Sequence, residues 1–136
     1  GDFAKNDALT PHPGRAPGDV VRIQLNALAK NDNPYKDAGI ETTFRFASPA
    51  NKQATGPLSR FIRMLYNPLY SPMLDNQAAS YGDLIVEGDR ARQPVILMTA
   101  DDQRVGYMFF LSKQKGGPFD QCWMTDSVIR FEVDNV

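Results

Sequence analysis

Asp126, Asp37, Cys122 and His12 are the residues whose types could do chemistry, and Asp126 has the most suggestive setting. A carboxylate base works when a pocket shields it and a hydrogen-bond donor faces it. The segment around it, Trp123-Met124-Thr125-Asp126-Ser127-Val128, reads as strand, so side chains alternate between two faces. Odd positions Trp123, Thr125, Ser127, Ile129, Phe131 and Val133 are apolar with two hydroxyls in the middle. Even positions Cys122, Met124, Asp126, Val128, Arg130 and Glu132 become charged toward the end. The odd face is therefore expected to point at the helices. That places Asp126 outside, where capping or pairing with an arginine suits it better than catalysis.

The other candidates are weaker. No histidine or lysine lies near Cys122 in sequence to lower its pKa, so it reads as a small buried hydrophobe. His12 is the only histidine and sits between two prolines, where nothing rigid orients it. Asp101-Asp102 has no further ligand at metal spacing and reads as a solvated turn. Lys115-Gly116-Gly117-Pro118 lacks the strand–loop–helix context of a phosphate loop. No nucleophilic triad, dinucleotide fingerprint or zinc spacing occurs. Neither a metal nor a cofactor is expected.

The elements that must position these residues fall into two halves. Residues 1–18 carry Pro11, Pro13, Gly14, Pro17 and Gly18, and read as a flexible lead-in ahead of a single domain over 19–136. Asp19 can cap a helix to about Lys30 with Val21, Leu25 and Leu28 on one face. Asn33-Pro34 can open a second, with Ile40, Phe44 and Ala47 inward, ending at Ser48-Pro49. Gly39 weakens it by about 1 kcal/mol relative to alanine. Asn51 to Gly56 reads as polar connector. The third and clearest helix follows Gly56-Pro57, with Leu58, Phe61, Ile62 and Leu65 on one side. Tyr66 and Tyr70 at its end suit core packing. From Tyr81 the period becomes two. A strand over Leu84–Glu87 and a Gly88-Asp89 turn precede three more strands, Val95–Thr99, Val105–Leu111 and Gln121–Phe131. The fold class is α+β: three N-terminal helices packed on a curved antiparallel sheet of about four strands.

The totals exclude some functions. A formal net charge of -1, with basic and acidic residues interleaved, offers no footprint for nucleic acid or an anionic membrane. No apolar run approaches the length of a transmembrane helix. A single cysteine rules out an internal disulfide. The chain opens with Gly1-Asp2, which points to removal of an upstream segment, so both an exported and a cytoplasmic location remain open.

Three stretches carry a resemblance: Gly56-Pro57-Leu58-Ser59-Arg60-Phe61-Ile62-Arg63-Met64-Leu65, Val86-Glu87-Gly88-Asp89, and Trp123-Met124-Thr125-Asp126-Ser127-Val128. Their order resembles the nuclear-transport-factor-2-like superfamily, the cystatin-like cone that SnoaL-like cyclases and ketosteroid isomerase share. Phe46-Ala47-Ser48-Pro49 and Cys122-Trp123-Met124-Thr125-Asp126 are similar to an uncharacterised family within it, known as a domain of unknown function. The resemblance covers roughly residues 19–133. It implies a cone between helices and sheet, for which Tyr35, Tyr66, Tyr107, Phe109, Trp123, Thr125 and Ser127 are candidate pocket residues. Asp37 and Asp126 would be the acid/base candidates, although the superfamily's Asp–His and Tyr–Asp pairs find no spacing match.

A pocket-capable fold without a recognisable catalytic set points first to a non-catalytic module that binds a small apolar ligand or another protein. The alternatives are a small isomerase, cyclase or hydrolase using a pocket carboxylate, and a purely structural dimerisation module. Strands Val95–Thr99 and Val105–Leu111 are apolar on both faces, whereas a sheet covered on one side alternates. A homodimer through the outer sheet face is the expectation that follows.

Overall fold

Among the described residues, helical structure begins at Pro17, the last proline of the expected lead-in. A computed structural model describes residues 9–134, so the part of the expected lead-in over 1–8 lies outside the described residues. Helix α1 is Pro17–Ala29. Pro17 occupies its first turn, where a missing N–H costs nothing, so the helix starts ahead of Asp19. Val20, Val21, Gln24, Leu25 and Leu28 form its buried stripe. Helix α2 is Ala38–Arg45 and does not open at Pro34. The chain from Asn31 to Asp37 instead bonds to itself: the Asp37 N–H donates to the Asp32 carboxylate at 2.9 Å. The Ile40 N–H donates to the side-chain oxygen of Asn31 at 3.0 Å. Helices α1 and α2 touch at Gly39, where a Cβ would lie 2.3 Å from the Ala27 carbonyl oxygen.

The stretch read as connector is a helix, α3, Pro49–Thr55. Ser48 accepts from the Asn51 N–H at 3.3 Å, so the Ser-Pro pair that stops one helix also caps and starts the next. Helix α4 is Leu58–Leu65. Phe61 and Leu65 are buried, while Leu58 and Ile62 are only half-buried. This helix packs chiefly on α2 and α3 rather than flat on the sheet. Among the described residues there are thus four α-helices, one more than expected.

Five antiparallel strands make an open sheet: β1 Ala78–Tyr81, β2 Ile85–Glu87, β3 Arg90–Met98, β4 Arg104–Lys113 and β5 Trp123–Phe131. The last three form the expected meander. Both β1 and β2 lie along the free edge of β3, against Val95–Met98 and Arg90–Arg92 respectively. Pro94 sits in the gap between them, where the ladder needs no donor, and its carbonyl accepts from the Gly82 N–H at 2.8 Å. The inner face of β3 and β4 carries Val95, Leu97, Tyr107, Phe109 and Leu111, all buried against α1 and its neighbours.

Strand β5 departs from strict alternation. Leu111 lies opposite Thr125, but Phe110 lies opposite Ser127, so Asp126 is an extra residue in a β-bulge. A bulge shifts every later side chain to the other face. Trp123 and Thr125 point to the helices as expected. Past the bulge, Val128 and Arg130 turn inward opposite Phe109 and Tyr107, while Ile129 is 56% exposed on the outside. The expected inward placement of Ile129 and Phe131 is therefore corrected.

Candidate functional site

Thr125 is clamped by backbone before any side chain is considered. Its N–H donates to the Phe46 carbonyl at 2.8 Å, and its own carbonyl accepts from the Ser48 N–H at 2.8 Å. The α2–α3 connector thus forms a short parallel bridge on the edge of β5. Asn51 Nδ2 donates to the same carbonyl at 3.1 Å. From α1, Gln24 Nε2 donates to Thr125 Oγ1 at 2.7 Å and to the Val20 carbonyl at 3.1 Å. Both side chains are almost wholly buried, and burial of an amide in an apolar stripe is tolerable only with such partners.

Beside this pair lies a cavity of about 670 Å3. Leu28, Phe61, Leu65, Met73 and Phe109 give it apolar walls, and Thr43, Ser48, Asn51 and Ser127 add polar groups around Thr125. Arg90, Gln114 and Asp126 border it where the chain is more exposed. Asp126 accepts from the Ser112 hydroxyl at 3.0 Å. As the bulge residue it borders both the cavity and a second, smaller pocket that Arg90, Arg92 and Phe110 also line. Simple alternation had put it outside only.

Of the sequence-derived pocket candidates, Phe109, Thr125 and Ser127 line the cavity. Tyr107 and Trp123 are buried elsewhere in the core: the Tyr107 hydroxyl donates to the Leu69 carbonyl at 2.8 Å, and Lys113 Nζ lies 5.6 Å from the Trp123 ring centre. Tyr35 and Tyr66 are exposed, at 50% and 47%. Tyr66 donates a hydrogen bond to Asp37, which also accepts from Asn31 Nδ2 at 3.0 Å. This Tyr–Asp pair was invisible to sequence spacing, because its members are brought together by the turn from Asn31 to Asp37. Cys122 is buried, and burial pushes its thiol up, which favours the unreactive protonated form. Sequence reasoning passed over Gln24, Ser48 and Asn51. Gln24 did leave a signal, since it is the one polar residue at i+4 from Val20 and i−4 from Leu28.

All of these cavity residues fall within 16–135, the stretch that matches the model of a family described as Domain of unknown function (DUF4864). The chain belongs to the DUF4864 family. No curated protein and no solved structure matches it. The DUF4864 match runs from the start of α1 through β5, so it takes in both the helical layer and the sheet. Among the described residues of this DUF4864 chain, no group of three or more His, Cys, Asp and Glu side chains is placed to hold a metal ion. Nor is any helix there long and apolar enough to cross a membrane.

Two phenols of the DUF4864 domain are held un-ionised well past their ordinary range. Burial pushes Tyr107 up to about 12, and the hydrogen bond to Asp37 pushes Tyr66 up to about 12. A phenol whose folded pKa is raised stabilises the fold fully below its unfolded value of about 10, and that contribution is lost as pH rises through the folded value. Denaturation midpoints should therefore fall between about pH 10 and pH 12. Tyr107→Phe should lose about 1 kcal/mol at neutral pH, for the missing bond to Leu69, and show a shallower alkaline decline. Urea titrations at stepped pH check this; equal alkaline slopes in both proteins would refute the assignment to Tyr107.

Proposed function

We propose that this DUF4864 domain is a non-catalytic binding module that holds a small, largely apolar molecule between its helices and its sheet. The observation that carries the reading is the cavity itself. Its volume of about 670 Å3 lies within the range of small-molecule sites, and its walls mix apolar side chains with a few convergent polar groups. The four helices on an open antiparallel sheet, with a cavity between them, support placing the domain among the nuclear-transport-factor-2-like folds. Asp126, the carboxylate that borders the cavity, stands at the bulge and is occupied by Ser112, which favours binding over acid/base chemistry.

Ala54 lies on the exposed part of the lining, so Ala54→Trp should obstruct the cavity while changing stability by no more than about 0.5 kcal/mol. Native mass spectrometry against a panel of apolar small molecules should show adducts on the wild type and at least a tenfold loss of affinity in the variant. Absence of any adduct on the wild type, or equal affinity in the two proteins, overturns the reading.

A second reading rests on a separate observation. On the outer face of the sheet, Pro94, Ile96, Met108, Phe110, Ile129 and Phe131 form an apolar surface that no helix among the described residues covers. We propose that a second copy of the chain covers it, pairing through a twofold axis.

A further inference from the structure

We propose that the molecule held in the cavity is neutral and presents one hydrogen-bond acceptor, a carbonyl or ether oxygen, to the Thr125 hydroxyl. The inference rests on the binding reading above and names its ligand class. The Val20 carbonyl can only accept, so the Gln24 atom 3.1 Å from it must be the amide nitrogen. The same nitrogen lies 2.7 Å from Thr125 Oγ1, which makes the hydroxyl oxygen the acceptor and leaves its proton to go elsewhere. No acceptor among the described residues takes it. Thr125 is 2% exposed and lines the cavity, so what little of it is reached is reached from that side, and a buried donor without a partner is costly. The cavity is the open space beside it.

Two further observations define the partner. The bridge to Phe46 and Ser48 fixes the Thr125 backbone on both sides, so the donor is preorganised rather than induced. The charged groups on the lining are Arg90, which is exposed, and Asp126, which is half-buried and already accepts from Ser112, whereas the side chains bonded to Thr125 are the amides of Gln24 and Asn51. A charged group seated there would be desolvated without a counter-charge, which excludes an ionised head at that end. An apolar body against Leu28, Leu65 and Phe109 with a single acceptor oxygen is what the walls accommodate.

The test uses two compounds of one shape, para-butylacetophenone and its isostere with a methylene in place of the carbonyl oxygen. Calorimetric titration of the full chain should show the wild type binding the ketone about tenfold more tightly than the isostere, the size of one hydrogen bond to an otherwise unpaired donor. Thr125→Val should abolish the preference, so that the two compounds bind it with equal affinity, and Thr125→Ser, which keeps the hydroxyl, should retain it. Equal affinities on the wild type, as expected if a buried water holds the proton, overturn the proposal, as does a preference that survives Thr125→Val. Failure of the wild type to bind either compound, or any of the apolar panel, overturns the cavity reading and this inference with it.

Discussion

Replacing Gly39 with alanine should lower the melting temperature by about 12 °C. Intrinsic propensity argues the other way, because alanine is favoured over glycine in a helix by about 1 kcal/mol. The close contact decides the sign. A Cβ at this position would lie 2.3 Å from the Ala27 carbonyl oxygen, 2.8 Å from its carbon and 3.0 Å from the Asn31 Cα. All three are backbone atoms and cannot swing aside as a side chain would. The helices are also tied at this point, since the Gly39 N–H donates to the Asn31 carbonyl at 2.8 Å. Overpacking that displaces backbone belongs at the upper end of such penalties, about 4 kcal/mol, so the net loss is about 3 kcal/mol. At this chain length each kcal/mol corresponds to about 4 °C. Calorimetry measures it, and a fall below about 2 °C would mean that α1 and α2 slide apart freely. The displacement would also carry Gln24, Leu28 and Thr43, so ligand affinity should fall in step with stability.

The same glycine marks how far sequence reasoning reached. Read alone, Gly39 is a weak point in a helix; only the crossing with α1 shows that its missing side chain is a requirement. Periodicity located α1, α4 and the meander, because their apolar spacing reports burial directly. It missed β1, since Ala78-Ala79-Ser80-Tyr81 has no alternation and is strand only through its pairing with β3. It misread α3, whose sequence Pro-Ala-Asn-Lys-Gln-Ala-Thr buries no residue and therefore shows no stripe. The bulge at Asp126 was the costliest omission. One extra residue reverses the face of everything after it, and no local composition announces which strand of a pair will carry it. Thr125 stands before that reversal and lines the cavity; Ile129, past it, is exposed on the outer face.

Met108→Asp should convert the protein from dimer to monomer at micromolar concentration. Met108 is central to the outer face, with Pro94 opposite it on β3 and Ile129 opposite it on β5. Phe110 and Phe131 extend the same apolar surface, and the Phe131 ring lies over Gly106, where a Cβ would meet it at 2.3 Å. A face of this kind is seldom left to solvent. Its charges also suit a twofold axis near Ile96 and Met108. Arg90 and Arg92 flank one end of the β3–β4 hairpin, while Asp101 and Asp102 form the turn at the other, so antiparallel copies bring opposite signs together. An aspartate placed at the centre would be desolvated against Ile129 and Pro94 of the second copy, at about 3 kcal/mol or more, which weakens association at least a hundredfold. In the isolated chain the position is only half-buried, so the carboxylate stays hydrated and the fold survives. Sedimentation equilibrium reads both states. A monomer mass for the wild type, or a dimer mass for Met108→Asp, defeats the twofold pairing. Ala54→Trp supplies the contrast, because Ala54 lies on the cavity lining and not on a strand of the sheet, and should leave the dimer mass unchanged. If it too dissociates the protein, the outer face and the cavity are one coupled site, joined through Ile129, which belongs to both.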